Sequence, residues 1–273
     1  MRNSKQLAIL NFIFVVLNLT WILIIDRQKL FGKSIYDTFI GNWTYLTPHK
    51  YTFFIWSLVS ICLIITHGAF INSLKNAETS DHISEKVNNT GFLIMLNQVL
   101  LGMSMVTKLN DNIEISLLFT FGTLITLLTI NKRLRIFRNP GQSIVDYISR
   151  ISYGLYTGWL IYVALFNSAS YLYTLIDVSM YSKFMISILS ASTLFAIILI
   201  KSFKRKLPSY IFGYSFGLMG AYSNVYEGSY TPDYANEFLI IFQLLVFIMI
   251  GSCVYITLQG LKNKKEIQSE SLN

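Results

Sequence analysis

Eight apolar stretches, near 7–25, 51–72, 91–109, 113–131, 148–172, 181–200, 208–226 and 236–261, dominate this chain of 273 residues. Each is long enough to approach or cross a hydrocarbon layer about 30 Å thick as an α-helix. No water is available there to bond a free peptide group, so each stretch is read as a helix whose backbone is satisfied within itself. A barrel would need short strands of alternating polarity, and none are seen. With 53% of residues hydrophobic and 13% charged, the chain lacks the charge to wet a soluble surface of this size. The expected fold class is an all-α integral membrane protein. It is a bundle of about eight transmembrane helices in one multi-pass domain over 1–261, with a polar tail at 262–273 expected to be disordered.

Lysine and arginine resist translocation and collect on the cytoplasmic side. With eight spans and the N-terminus inside, the inner segments hold fifteen of these residues and the outer segments six, Arg27, Lys29, Lys33, Lys50, Lys108 and Lys183. Both termini are therefore expected in the cytoplasm. The net charge of +8 is mostly this topological signal, with some attraction to anionic headgroups. It is not a nucleic-acid signature, because the basic residues sit at helix ends rather than among exposed aromatics on one face. Low alanine with abundant isoleucine, asparagine and lysine points to an AT-rich bacterial genome, so the expected membrane is a bacterial inner membrane.

The polar stretches lie at 26–50, 73–90 and 132–147. The first contains "GKSIYDTFIGNWTYLTP", whose aromatics and glycines predict a folded lid at the outer surface, over 34–50. The short turn "NDNIE" makes spans three and four a tight antiparallel pair. Cys62 and Cys253 both fall inside spans, which argues against a disulfide framework or a cysteine metal site. No metal-protease, serine-hydrolase or phosphate-loop motif is present, and His49, His67 and His82 are scattered. Enzyme activity is therefore not the first reading, and no cofactor is required.

Polar and aromatic residues inside the spans mark candidate sites. At about 100° per residue, Phe53, Trp56, Ser60 and His67 share one stripe of span two. The rings at Tyr51, Phe53, Phe54 and Trp56 are compatible with an interfacial belt or with the wall of a site. His67 reads as an ordinary interfacial histidine. In span three, Asn97, Ser104 and Lys108 share a stripe beside Gln98. Two amides near mid-membrane must face protein, water or ligand, and both interhelical glue and a ligand anchor are open. Span five places Tyr156, Trp159, Tyr162, Asn167 and Ser170 on or near one face, beside the small-residue pair Gly154 and Gly158. This is either a pocket lining or plain core packing. Asp146 and Arg150 are spaced to pair at the start of that span.

These residues carry a resemblance. "TPHKYTFFIW" resembles the TP-x-x-Y-x-F-x-I-W pattern that opens the second span of long bacterial members of the TspO/MBR group. These are the tryptophan-rich sensory proteins, related to the mitochondrial translocator protein. Thr47, Pro48, Tyr51, Phe53, Ile55 and Trp56 match. Leu96 and Asn97 match an L-N-x-x-W segment in which Leu100 replaces the Trp. Tyr156, Gly158, Trp159 and Asn167 match a Y-x-G-W segment and its W-x7-N spacing, and Phe216 stands where "YSFGLMG" would carry another Trp.

The resemblance implies a TspO-like five-helix core around a pocket for hydrophobic, aromatic molecules, with a porphyrin or haem as candidate ligand. The losses at Leu100 and Phe216 would weaken stacking against a flat tetrapyrrole. The expected ligand-binding residues are Tyr51, Phe53 and Trp56 on one wall, Asn97 as a polar anchor, and Tyr156, Trp159 and Asn167 opposite. The expected partners are the membrane and a hydrophobic small molecule or lipid, with a homodimer as a candidate assembly. The function implied is sensing or transport. The alternatives are a membrane enzyme acting on a tetrapyrrole or lipid, or a transporter or partner subunit with no such ligand.

Overall fold

A computed structural model describes residues 2–41, 43–75, 77–138, 143–227 and 232–270. Among them stand α1 (Arg2–Gln28), α2 (Ile35–Gly41), a 3-10 turn (Lys50–Phe53) leading into α3 (Phe54–Ser73), α4 (Ala77–Thr90), α5 (Leu93–Leu109) and α6 (Ile113–Arg133). They are followed by α7 (Ile144–Leu175), α8 (Met180–Arg205), α9 (Pro208–Glu227) and α10 (Ala235–Glu270), and no strand is found among these residues. A long helix thus occupies each of the eight apolar stretches.

Local chemistry sets several helix ends. Asn112, Ser143 and Ser179 each accept a hydrogen bond from the backbone amide three residues on, and so cap α6, α7 and α8. Lys206 adopts the left-handed conformation at φ 48°, and Pro208 opens α9 where its missing N–H costs nothing.

Two expectations need correction. The stretch at 73–90, expected as a polar connection, contains the helix α4, whose Ile83 and Val87 are buried. Ser80, Lys86 and Thr90 are buried on the same face, so the apolar stripe is too narrow to read as a span. The tail expected to be disordered is helical to Glu270 as the end of α10. Lys, Glu and Gln are good helix formers and let a helix already nucleated in the apolar stretch continue.

Among the described residues, five helices are long and apolar enough to cross a membrane, or six if α4 and α5, bent by 47°, form one broken span. Those five include neither α7 nor α9. Their tyrosines, serines and glycines lower the hydropathy, and their position explains it. The chain's most extensive helix pairing joins α7 to α9, while α3, α6 and α8 also pack on α7. A helix sheathed by others is freed from facing lipid and can carry polar side chains that bond its neighbours.

Glycine makes that central pairing possible. A Cβ on Gly158 would overlap the carbonyl oxygen of Tyr210 and lie 2.8 Å from the amide nitrogen of Tyr214. One on Gly213 would overlap the carbonyl of Leu155 and lie 2.9 Å from the amide nitrogen of Trp159. The two backbones therefore touch.

Segments assigned to the same side of the membrane also meet one another. At one end, Lys86 and His82 reach Asp146, Arg133 donates to the Asn89 carbonyl and Arg150 to the Arg205 carbonyl. At the other, Lys33 pairs with Asp111 and Tyr45 bonds the Asp233 carbonyl. Asp146 and Arg150 do not pair as their spacing predicts, because α4 delivers a lysine and a histidine to the carboxylate first. His67 is not interfacial: it is 1% exposed and shares a 3.0 Å hydrogen bond with Tyr153.

Replacing Gly158 with Ala is expected to destabilise the protein by roughly 2–3 kcal/mol, since neither backbone can yield. Gly68→Ala, whose Cβ would meet nothing within 4 Å, is expected to leave stability unchanged or raise it slightly. Thermal unfolding of the two variants in detergent checks the contrast. Equal midpoints would refute a backbone seam.

Candidate functional site

The short helix α2 closes over a cavity between α3, α5, α6 and α7. Its own start is fixed by a reciprocal pair: Asp37 N donates to Ser34 Oγ at 3.2 Å and Ser34 N donates to the Asp37 carboxylate at 2.8 Å. The Ser34 amide, then its hydroxyl, hold the Asp37 carboxyl below its ordinary range. This contribution to α2 is present at neutral pH and fades as pH falls below about 4. Asp26 at the end of α1 accepts from Ile35 N at 3.0 Å.

From this start α2 lays Phe39 into the bundle. The Phe39 ring stacks on Phe166 at 4.9 Å and meets Phe53 edge-on at 4.8 Å. Beneath it, Ile35, Thr38 and Phe39 from α2, Trp56 from α3, Leu101, Ser104, Met105, Lys108 and Leu109 from α5, Thr120 from α6, and Leu160, Val163 and Asn167 from α7 surround about 30 Å³ of free space. That is room for a water molecule and not for a tetrapyrrole. Thr38 also borders an open cleft of about 410 Å³ lined by Lys33, Asp37, Gly41, Asp111, Ile113 and Thr174. One turn of helix therefore separates the cavity from the cleft.

Lys108 is the unusual member of this lining. It is 7% exposed, and its Nζ donates to Asn167 Oδ1. The Nζ also lies 3.8 Å from the ring centre of Phe39 and 4.5 Å from that of Phe166. Among the described residues, no carboxylate comes within ion-pair distance of it. Removing an ammonium from water costs several kcal/mol, of which desolvated ring faces return about 2 kcal/mol. Asn167 is held in turn, donating from Nδ2 to Thr120 Oγ1 at 3.2 Å.

The expected site residues separate into four groups. Trp56 and Asn167 line the cavity. Phe53 supports Phe39 from outside it. Trp159 and Tyr156 stand in a second row behind Trp56, with ring centres 5.8 and 6.4 Å from it. Trp159 also stacks on Tyr162 at 5.6 Å, and its Nε1 has no hydrogen-bond partner among the described residues.

The remaining two do not join them. Tyr51 is 70% exposed, with its ring 4.8 Å from His49. Five residues before Trp56, Tyr51 points about 140° away from it at helical spacing, so it faces outward where Trp56 faces in. Asn97 does not line the cavity. Its Nδ2 donates to Thr123 O at 2.8 Å and Thr126 Oγ1 at 2.9 Å, and its Oδ1 accepts from Tyr156 at 2.9 Å and Gln98 at 3.2 Å. Gln98 accepts from Asn18 at 2.9 Å. The two amides join α1, α5, α6 and α7 as interhelical glue, with no capacity left over for a ligand at Asn97.

The lid is likewise narrower than 34–50. Tyr45 and Leu46 are fully buried, and Tyr162 Oη donates to the Leu46 carbonyl at 2.6 Å. Residue 42 lies outside the described residues. The part that covers the cavity is α2, while 44–48 is buried in the core.

The family model of TSPO-like proteins matches residues 8–256, nearly the whole chain. The chain belongs to the TSPO-like protein family. No curated protein and no solved structure matches it. Family membership and the apolar helices make it a multi-pass membrane protein. Its TSPO-like core keeps the matched Trp56, Trp159 and Asn167 within one neighbourhood.

Sequence reasoning missed Phe39 and Lys108 as lining residues of the cavity in this TSPO-like protein. Lys108 was legible as a third member of the Asn97 and Ser104 stripe, but a lysine at a span end is ordinarily an interfacial charge. Phe39 had no signal, because only the fold of α2 turns it inward.

Asn97→Leu strands the Tyr156 hydroxyl and the Gln98 amide, and is expected to cost roughly 2 kcal/mol. Tyr156→Phe is expected to cost about 1 kcal/mol. Unfolding titrations would refute the hub if both variants matched the parent. Removing the cap of α2 with Ser34→Ala costs about 1 kcal/mol. It should speed amide hydrogen exchange across 35–41 roughly fivefold while leaving α6 unchanged.

Proposed function

We propose that this TSPO-like protein binds a hydrophobic small molecule, planar and aromatic or lipid-like, in the cavity beneath α2, for sensing or transport. The observation that carries this reading is the convergence of Trp56, Phe39, Leu101 and Leu160 with a few polar groups at one closed point, one helical turn from an open cleft. Mostly apolar linings with a few placed polar groups are what small-molecule sites share. At its present size the cavity does not hold such a molecule, so binding requires α2 to lift with Phe39. The Lys33–Asp111 pair beside the cleft is exposed enough to open at little cost. The proposal places both termini on the cytoplasmic side of a bacterial inner membrane, with α2 on the outer face.

Trp56 is the natural reporter. Titration of the detergent-purified protein with protoporphyrin, haem and a lipid panel is expected to give saturable quenching of tryptophan fluorescence. That quenching should weaken in Trp56→Phe and, less strongly, in Trp159→Phe. Quenching that is unchanged in both variants, or no saturable response at all, would remove the pocket reading. Turnover of a bound tetrapyrrole or lipid would replace it with an enzymatic one.

A further inference from the structure

Lys108 gives the site a chemical preference that its apolar lining does not. An ammonium has three N–H donors and no acceptor. In this structure one donor goes to Asn167 Oδ1, and the faces of Phe39 and Phe166 flank the nitrogen. A positive charge in this setting attracts an anion far more strongly than it would in water. Ser104 and Thr120 are engaged with each other at 2.7 Å, and neither can supply a negative charge. The lysine's closer ring, Phe39, belongs to the one wall that must move for any molecule to enter.

We propose that the molecule taken by this site carries a carboxylate on its hydrophobic body, and that the carboxylate pairs with Lys108 Nζ where Phe39 now lies. The inference rests on the pocket reading above. Entry of the anion exchanges a cation–π contact for a charge-assisted hydrogen bond, so the lysine is covered in both states. The hydrophobic body then lies against Trp56, Leu101 and Leu160. A flat aromatic acid and a long-chain acid share this chemistry.

The test uses matched acids and esters on the full chain in phosphatidylcholine nanodiscs. The probes are dibromostearic acid and its methyl ester, and pyrenebutyric acid and its methyl ester. Bromine quenches tryptophan at short range, and pyrene accepts its excitation. The reading is the part of the signal lost in Trp56→Phe, after subtracting each probe's partition into protein-free nanodiscs. The parent protein is expected to bind at least one acid about tenfold more tightly than its ester. Lys108→Met should level the two, and Lys108→Arg should keep most of the preference.

Which acid shows the larger preference tells a chain from a ring. The ester keeps the carbonyl, so a preference for the acid cannot come from a neutral acceptor. Equal binding of acid and ester to the parent protein, or an acid preference that survives in Lys108→Met, overturns the carboxylate inference while leaving the pocket standing. Ester binding by Lys108→Met shows that this variant is folded, and if it does not fold, the comparison in the parent protein decides alone. Absence of Trp56-dependent signal from all four probes overturns the pocket reading and the inference with it.

Discussion

The contact between the α7 and α9 backbones at Gly158 and Gly213 is the constraint on which the rest of the bundle depends. In hydrocarbon, helices gain little from hiding apolar side chains from one another, because lipid tails are equally apolar. What they gain is close packing and bonded polar groups, and both require backbones that can approach. With the Cβ atoms absent, Tyr162 lies over Gly217, and Tyr214 donates to the Ala191 carbonyl at 2.9 Å. The same approach fixes the height of Trp159, and through it the second row that backs Trp56. Widening this seam would move the wall of the cavity without touching any residue that lines it.

A polar network does for the other half of the bundle what glycine does for this one. Asn18, Gln98, Asn97, Tyr156 and Thr126 form a continuous chain of hydrogen bonds from α1 through α5 to α6 and α7. Asn131 and Thr157 add a second link between α6 and α7 at 2.6 Å. Such groups are costly when unpaired and directional when paired, so they set rotation as well as proximity. The cavity lies between these two fixed halves, and its remaining wall is α2. That helix has seven residues and is held by its reciprocal cap, one bond to Asp26 and the contacts of the Phe39 ring. Rigid side walls with a lightly held cover are suited to admitting a molecule without loosening the bundle.

The division of polar residues between glue and site follows from their partners. Asn97 and Asn167 look alike in the sequence, as single amides on the aromatic faces of two spans. In the structure Asn97 finds two donors and two acceptors on its own neighbours. Asn167 finds Thr120 on one side and a buried lysine on the other. The first is saturated, and the second holds the lysine's Nζ in place. Trp56 and Tyr51 divide similarly: five residues apart, they point about 140° from each other, the tyrosine outward and the tryptophan inward.

The sequence by itself determined the class of fold, the positions of the eight long helices and the family. These depend on the length and polarity of contiguous stretches and on local spacing, and the absence of water in hydrocarbon leaves a backbone little choice. It also indicated Trp56 and Asn167, because rings and amides at membrane depth must be bonded or functional. Only the tertiary structure decided that α4 is a helix along the bundle, that Asn97 is spent on its neighbours, and that Phe39 and Lys108 complete the cavity. Those facts depend on which residues far apart in the chain come within a few ångströms of each other. Here that was settled by two glycines and a short capped helix, whose effect is visible only once the helices they join are packed.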